Sequence, residues 1–362
     1  MERRKFLRNA TIATAAGAAT AGASGSALAQ STAKWRMLTM WPRSLDTLFG
    51  SADQLGKRVT AISGGQFDLR AFPAGEIAPP GQILDAVSMG TVECGHVLSS
   101  FFTGKNPAFA FDAGLAFGLN TRQQNAWMYH GGGLEAMRSV FAKYNVVPIP
   151  CGNVGVQMGG WYRKEIKSVE DLKGLKFRVG GFAGRVLERL GVVPQNIPGG
   201  EIYPALEKGT IDAAEWVGPY DDLKLGFYKV AKNYYYPGFW EGGPQLSIYL
   251  NAKTWEALPA DLKAIVEAAA SHAHVDMQAR YDALNPQALR KLIAEGTRVA
   301  ALPRDVLQAS FKAAHEVYAE VSAKNQNWNK MWADYSRFRG EQYQWFNYAE
   351  RSYDNFMFSQ KL

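Results

Sequence analysis

Three short stretches place groups able to hold an anion or a hard cation inside otherwise apolar runs. In Lys173-Gly174-Leu175-Lys176-Phe177-Arg178-Val179-Gly180, Arg178 falls near the carboxyl end of an expected strand, the end at which open α/β sheets bind ligands. A guanidinium there presents a planar fork matched to a carboxylate, and an internal ion pair would use the same residue. In Ile211-Asp212-Ala213-Ala214-Glu215-Trp216, Glu215 closes an apolar strand, where a carboxylate stays ionised only beside a cation or several donors. The third stretch, Phe239-Trp240-Glu241-Gly242-Gly243-Pro244, carries Glu241 at the end of an aromatic run, and its Gly-Gly-Pro equally suits a surface turn. Together with Gln157, two partly buried carboxylates would suit a cation that prefers oxygen ligands. Spacing alone does not bring them together.

The elements that must position these groups alternate between strand and helix. Trp35 to Met40 reads as a strand, followed after Trp41-Pro42 by a helix with Leu48, Ala52, Leu55 and Val59 at helical spacing. Gln66 to Phe72, Glu93 to Leu98 and Val146 to Pro150 read as strands, with a helix opened by Pro79-Pro80 and ended at Gly90. The alternation then repeats. Strands are expected at Val156–Tyr162, Leu175–Val179 and Ile211–Trp216, with a helix start near Val169 and helices at Gly184–Leu190 and Ile202–Lys208. This pattern predicts α/β lobes built on mainly parallel sheets. Helical runs follow from Pro259 to about Glu295 and from Pro303 to about Trp332. The tail then gathers Tyr343, Trp345, Phe346, Tyr348, Tyr353, Phe356 and Phe358, a stripe suited either to the chain's own core or to a partner subunit.

Residues 1–30 read as an export leader. Arg3-Arg4-Lys5-Phe6-Leu7 is a twin-arginine opening, an Ala/Gly/Thr-rich run follows, and Ala27-Leu28-Ala29 supplies a cleavage pattern. The run lacks the Leu/Ile/Val density of a membrane span. Removing Arg3, Arg4, Lys5 and Arg8 against Glu2 takes away a net +3, so the formal +7 becomes about +4. The remaining basic residues are dispersed, which argues against nucleic acid. Roughly 330 remaining residues suggest two domains in a soluble, periplasmic protein. Cys94 and Cys151 lack metal-binding spacing, and the sequence leaves open whether they pair. No nucleophile elbow, dinucleotide fingerprint, phosphate loop or zinc-protease motif occurs, and His96, His130, His272, His274 and His315 form no ligand set. That tilts the reading from catalysis toward binding.

One long, ordered motif carries a family resemblance. It runs from Glu170-Asp171-Leu172-Lys173-Gly174-Leu175-Lys176-Phe177-Arg178 through Leu190-Gly191 and Glu201-Ile202-Tyr203-Pro204-Ala205-Leu206 to Gly209-Thr210-Ile211-Asp212-Ala213-Ala214-Glu215. It resembles the signature of the solute receptors of tripartite ATP-independent periplasmic (TRAP) transporters, over most of the chain. The leader, Gln157, Glu215-Trp216, Trp240-Glu241-Gly242-Gly243 and the aromatic tail resemble the subgroup that binds 2-oxo acids such as pyruvate with a metal ion.

The resemblance implies a non-enzymatic receptor with two lobes, a hinge and a long helix spanning both. Lobe 1 would comprise 34–153 with about 243–275, and lobe 2 would comprise 154–242 with about 296–335. Residues 276–295 would be part of the spanning helix, and 336–362 a C-terminal helix exchanged in a homodimer. It implies Arg178 as the clamp on the substrate carboxylate, and a sodium or calcium ion held by Gln157, Glu215, Glu241 and the Trp216 carbonyl. Asn153, Trp41, Phe102 and Trp240 would line the pocket, and TRAP membrane subunits would receive the cargo. Two glutamates and a substrate carboxylate carry −3 and Arg178 returns +1, so a divalent ion would neutralise the site and a monovalent one would leave −1. A 2-hydroxy acid such as lactate, a larger carboxylate, an exported metal-assisted enzyme on the same fold, or an adhesive protein working through its aromatic tail are the competing expectations.

Overall fold

The computed structural model describes residues 33–360, so the leader read at residues 1–30 lies outside the described residues. Two sheets organise the chain. The first is built from β1 (Ala33–Thr39), β2 (Phe67–Phe72), β3 (Cys94–Leu98), β4 (Val146–Asn153) and, much later, β10 (Gln245–Asn251), in the order β2-β1-β3-β10-β4. The second uses β5 (Trp161–Tyr162), β6 (Lys176–Arg178), β7 (Val193–Gln195), β8 (Ala213–Ala214), β9 (Asn233–Tyr236) and β11 (Arg298–Ala301), in the order β11-β9-β5-β8-β6-β7.

Neither sheet is wholly parallel. β10 runs antiparallel between β3 and β4, and β5 runs antiparallel between β8 and β9. β10 is buried at all seven positions of Gln-Leu-Ser-Ile-Tyr-Leu-Asn, as befits a strand covered on both faces. The helices of the first lobe are α1 (Leu48–Ile62), α2 (Ile83–Ser88), α3 (Phe109–Ala113), α4 (Thr121–His130) and α5 (Gly133–Ala142). Those of the second are α6 (Gly181–Glu188), α7 (Gly199–Lys208) and α8 (Pro219–Leu225). The expected strand Val156–Tyr162 is paired only at its last two residues. Its beginning crosses from one lobe to the other, and Gly160, at φ 83°, lies so near Ala214 that a Cβ would meet that carbonyl oxygen at 2.7 Å.

After α9 (Ala252–Ala257), the helix α10 (Ala260–Ala294) spans both lobes. Leu262, Val266, Ala270 and Met277 are buried toward the first. Farther on, Tyr281 donates to Asp221 at 2.6 Å and Asn285 accepts from the Tyr220 amide at 3.0 Å, both in α8. Asp221 also accepts from Thr47 of the first lobe at 2.6 Å, while its neighbour Asp222 accepts from Tyr234 (2.7 Å) and Trp161 (2.9 Å).

Burial raises the carboxyl of Asp221 to about 6 and that of Asp222 to about 7, against the donors that favour their ionised forms. The folded protein therefore holds a proton at Asp222 over a range, from about pH 4 to 7, in which an unfolded Asp has lost it. The stability from this site is complete below about pH 4 and is lost as pH rises through 7. Asp222→Asn is expected to flatten that part of the profile when urea midpoints at pH 4.5 and 7.5 are compared with wild type. Identical pH responses would show that Asp222 does not hold that proton.

The run expected from Pro303 to Trp332 is two helices, α11 (Arg304–Lys324) and α12 (Gln326–Tyr348), followed by α13 (Glu350–Ser359). Asn325 leaves helical geometry, and its side chain caps α12 by accepting from the Trp328 amide at 3.0 Å. Trp328 is fully buried, stacked on Phe182 of the second lobe and tilted against Phe111 of the first.

Three tyrosines of α11 and α12 pin the segment 116–119. Tyr318 donates to the Ala116 carbonyl, Tyr343 donates to that of Gly118, and Tyr335 accepts from the Leu119 amide at 3.0 Å. Tyr335→Phe would leave that buried amide without a partner, an expected loss of about 1–3 kcal/mol in a urea titration. Beyond Phe338 the tail changes character. Tyr343, Trp345, Tyr348, Tyr353, Phe356 and Phe358 are exposed by half or more.

Candidate functional site

The parallel strands of both lobes end at one cleft. Trp41 follows β1, Ser100 lies in the 3-10 turn after β3, Arg178 ends β6, and Glu215 follows β8. Two segments that cross between the lobes supply Gln157 and Trp240-Glu241. Together they enclose a cavity of about 40 Å³, lined also by Trp216, Leu48, Val154, Val217, Ala183 and Leu246.

Arg178 and Glu215 are almost fully buried and form an ion pair, so the internal pairing left open by the sequence is present. Arg178 Nη1 donates to both Oε1 and the backbone carbonyl of Glu215, each at 2.6 Å, and Nε donates to the Ile197 carbonyl at 3.1 Å. Nη2 has no hydrogen-bond partner among the described residues, and the guanidinium lies 5.1 Å from the centre of the Trp216 ring. The protein thus holds Nε and Nη1, and of the guanidinium nitrogens Nη2 is left to meet another group.

The acidic side of the cavity is under electrostatic stress. Glu215 also accepts from the Gly180 amide at 3.0 Å, and burial still pushes its carboxyl upward against the pull of Arg178. Glu241 is pushed to about 8 by burial and by repulsion from Glu215, with Ser100, Arg178 and Gln157 opposing the rise. The Gln157 amide donates to Glu241 at 3.2 Å, which leaves its own buried Oε1 without a partner. The buried Glu215, the half-buried Glu241 and the unpaired Gln157 oxygen thus offer only oxygen donors to one cavity. The set is short of a full shell, since no group of three or more His, Cys, Asp and Glu side chains gathers anywhere among the described residues. Such a set fits a hard cation whose remaining ligands come from a bound anion.

Of the residues singled out in the sequence, Arg178, Gln157, Glu215, Trp216, Glu241, Trp41 and Trp240 meet at the cavity. Asn153 and Phe102 do not. Asn153 is buried outside the lining, accepting from Thr121 (2.8 Å) and the Gly155 amide (2.9 Å) and donating to the Gly243 carbonyl (3.0 Å). Phe102 turns into the first lobe's core against Tyr249. Trp41 presents its ring while its N–H donates to His96 Nδ1 at 2.8 Å, and burial lowers that imidazole to about 3, keeping it neutral. Ser100 and Phe101 were missed. They lie in the turn that follows the carboxyl end of β3, and that position was the available signal. Cys94 and Cys151 are both free and buried.

This two-lobed α/β frame, closed over a small, largely apolar cavity with Arg178, Gln157, Glu215 and Glu241 in its wall, is the architecture of a solute-binding receptor. The family described as "Bacterial extracellular solute-binding protein, family 7" matches residues 39–325, and the chain belongs to it. Its members are the extracytoplasmic receptors of TRAP transporters and are not enzymes. A monocarboxylate 2-oxoacid-binding periplasmic protein of Nostoc sp. is 46% identical over 360 residues, spanning 98% of this chain and 99% of its own.

Among solved structures, a TRAP transporter solute-binding protein of Bordetella bronchiseptica RB50 is 55% identical, with a TM-score of 0.90 over 91% of this chain and 98% of its own. It is a mixed-occupancy dimer, with copurified calcium and picolinate in one active site and the other site apo. One from Pseudoalteromonas atlantica T6c, with bound sodium and pyruvate, is 36% identical, with a TM-score of 0.87 over 91% of this chain and 100% of its own. Among the described residues no helix is long and apolar enough to cross a membrane.

Proposed function

We propose that this receptor captures a monocarboxylate bearing a second donor atom on the carbon next to the carboxylate, a 2-oxo acid such as pyruvate, together with a sodium or calcium ion. The observation that carries this reading is the buried Glu215 and half-buried Glu241 lining one cavity with a half-committed arginine and an unpaired Gln157 oxygen. Gln157, Glu215, Glu241 and the Trp216 carbonyl would hold the cation. Its charge would offset the two carboxylates and attract the ligand's adjacent oxygens. Arg178 would take the ligand carboxylate through Nη2, and the Trp41 and Trp240 rings would exclude water. Pyruvate and picolinate, bound by the two related receptors, both carry a donor atom beside a carboxylate and so present the same chelating edge.

The exposed aromatic residues of α12 and α13 suit a contact with a second copy of the chain, in keeping with the dimer of the Bordetella receptor. TRAP membrane subunits would receive the cargo, and the twin-arginine leader would route the protein to the periplasm. Calorimetry with pyruvate, lactate and propionate, with and without sodium or calcium, tests the binding reading. Pyruvate is expected to bind most tightly, and only with a cation present. Equal affinity for propionate would remove the adjacent oxygen from the mechanism.

A further inference from the structure

The cavity is closed on one flank by a contact between lobes in which one partner has no side chain. Gly181, the first residue of α6, adopts φ 59°, and a Cβ placed on it would lie 2.7 Å from Ser100 Cβ and 3.2 Å from the Ser100 carbonyl oxygen. Real Cβ atoms do not approach that closely, so the lobes could not keep this separation with any other residue at 181. Both sides of the contact lead directly to the binding groups. The residue before Gly181 donates its amide to Glu215 at 3.0 Å. Ser100 lines the cavity beside Glu241.

Arg178 and Glu215 are too deeply buried for a solute to reach them in this arrangement. Cargo must therefore enter while the lobes are apart, and the Ser100–Gly181 contact must re-form behind it.

We propose that Gly181 is a positioning residue for closure: its missing side chain lets the second lobe seat on Ser100, and so sets the lobe separation at which the binding groups engage the solute. This rests on the receptor reading of the same cavity. It adds a determinant of affinity that touches neither ligand nor cation. A methyl group on either side of the contact acts as a spacer. It holds the lobes apart and shifts the Arg178 side relative to the Ser100 side, where geometric errors well under an ångström weaken a small, fully engaged ligand.

The test uses the full mature chain, with pyruvate and either sodium or calcium. Calorimetric affinities and small-angle scattering, with and without pyruvate, are compared for wild type, Gly181→Ala, Ser100→Gly and the double variant. Gly181→Ala is expected to lose roughly tenfold to hundredfold in affinity, a typical effect of overpacking, and to keep a larger radius of gyration at saturating pyruvate. Adding Ser100→Gly removes the opposing Cβ and should recover at least about tenfold of that loss. It should leave untouched any fall in melting temperature caused by alanine at positive φ. Ser100→Thr keeps the hydroxyl and adds a methyl to the same contact, so it should reproduce the weakened binding even if Gly181→Ala does not fold.

A double variant that binds no better than Gly181→Ala after the loss seen in Ser100→Gly alone is taken out would trace the loss to backbone strain and overturn the proposal. So would wild-type affinity in Gly181→Ala, or in Ser100→Thr. If wild type itself does not bind pyruvate, the substrate reading falls, and the contact is judged by scattering alone. Equal radii for wild type and Gly181→Ala would then refute it, and a larger radius reversed by Ser100→Gly would uphold it.

Discussion

Arg178→Ala is expected to lower pyruvate affinity by about 10²–10³, with the protein still folded but less stable. The guanidinium is 2% exposed, and its contacts are to the Glu215 carboxylate and to the Glu215 and Ile197 carbonyls. Removing one partner of such a buried pair strands the other, a cost of roughly 3–5 kcal/mol. In this site the cost divides between stability and binding. Glu215, already pushed upward by burial, would lose the positive charge that most opposes the shift. The ligand carboxylate would lose the Nη2 donors.

Arg178→Lys is expected to recover less than a tenth of the lost affinity. An ammonium cannot serve Glu215, Ile197 and a ligand from one point in the way a planar guanidinium does. Adding Glu215→Gln to Arg178→Ala should restore part of the stability by removing the stranded charge, while leaving the ligand affinity low. Calorimetry and urea unfolding on the same four proteins separate the two effects. Affinity for pyruvate unchanged in Arg178→Ala would mean that Arg178 serves only Glu215.

The cleft was legible in the sequence because strand ends are legible. Arg178 and Glu215 each stand at the end of a short strand, and in a parallel sheet those ends share one edge, so their meeting follows from topology. Glu241 and Gln157 lie instead on irregular crossing segments, where periodicity is silent. Their place came from resemblance, and the geometry that holds them depends on contacts far along the chain, such as the Gly238 amide donating to the Gln157 carbonyl at 2.8 Å.

The same limit explains Asn153 and Phe102. Proximity in sequence to a site residue does not say which face of the backbone a side chain leaves, and both turn inward to satisfy packing and hydrogen bonds. β10 could not have been placed as an antiparallel insert either, since a strand buried on both faces has no alternation to show its direction. The break at Asn325 did carry a signal. Asn325-Gln326-Asn327 interrupts a helical run with a strong N-cap residue, a feature that apolar periodicity ignores.

The second large effect expected is on removal of the cation. Pyruvate has six heavy atoms, and at a ceiling of about 1.5 kcal/mol per atom its binding cannot exceed roughly 9 kcal/mol, while micromolar affinity already uses about 8. Nearly every atom must therefore be engaged. Without a cation the cavity opposes this. Glu215 and Glu241 against Arg178 leave it either net negative or holding a proton on Glu241, and in both states it offers the ligand's adjacent oxygen no positive charge.

Two unit charges about 4 Å apart near a protein surface interact by about 4 kcal/mol, so even one added positive charge outweighs most other contacts available to so small an anion. Exchange into choline-based buffer with a calcium chelator is accordingly expected to weaken pyruvate binding by at least about hundredfold. Restoring sodium alone or calcium alone then identifies the ion that the site uses. Glu241→Gln should give the complementary result, with pyruvate affinity already low and no longer responsive to either ion. Propionate, which keeps the carboxylate but lacks the oxo oxygen, should gain far less than pyruvate when the ion is returned. If stripped wild-type protein bound pyruvate as tightly as untreated protein, the carboxylate pair would have to be neutralised by protons alone. Arg178 would then be the only charged group recognising the cargo.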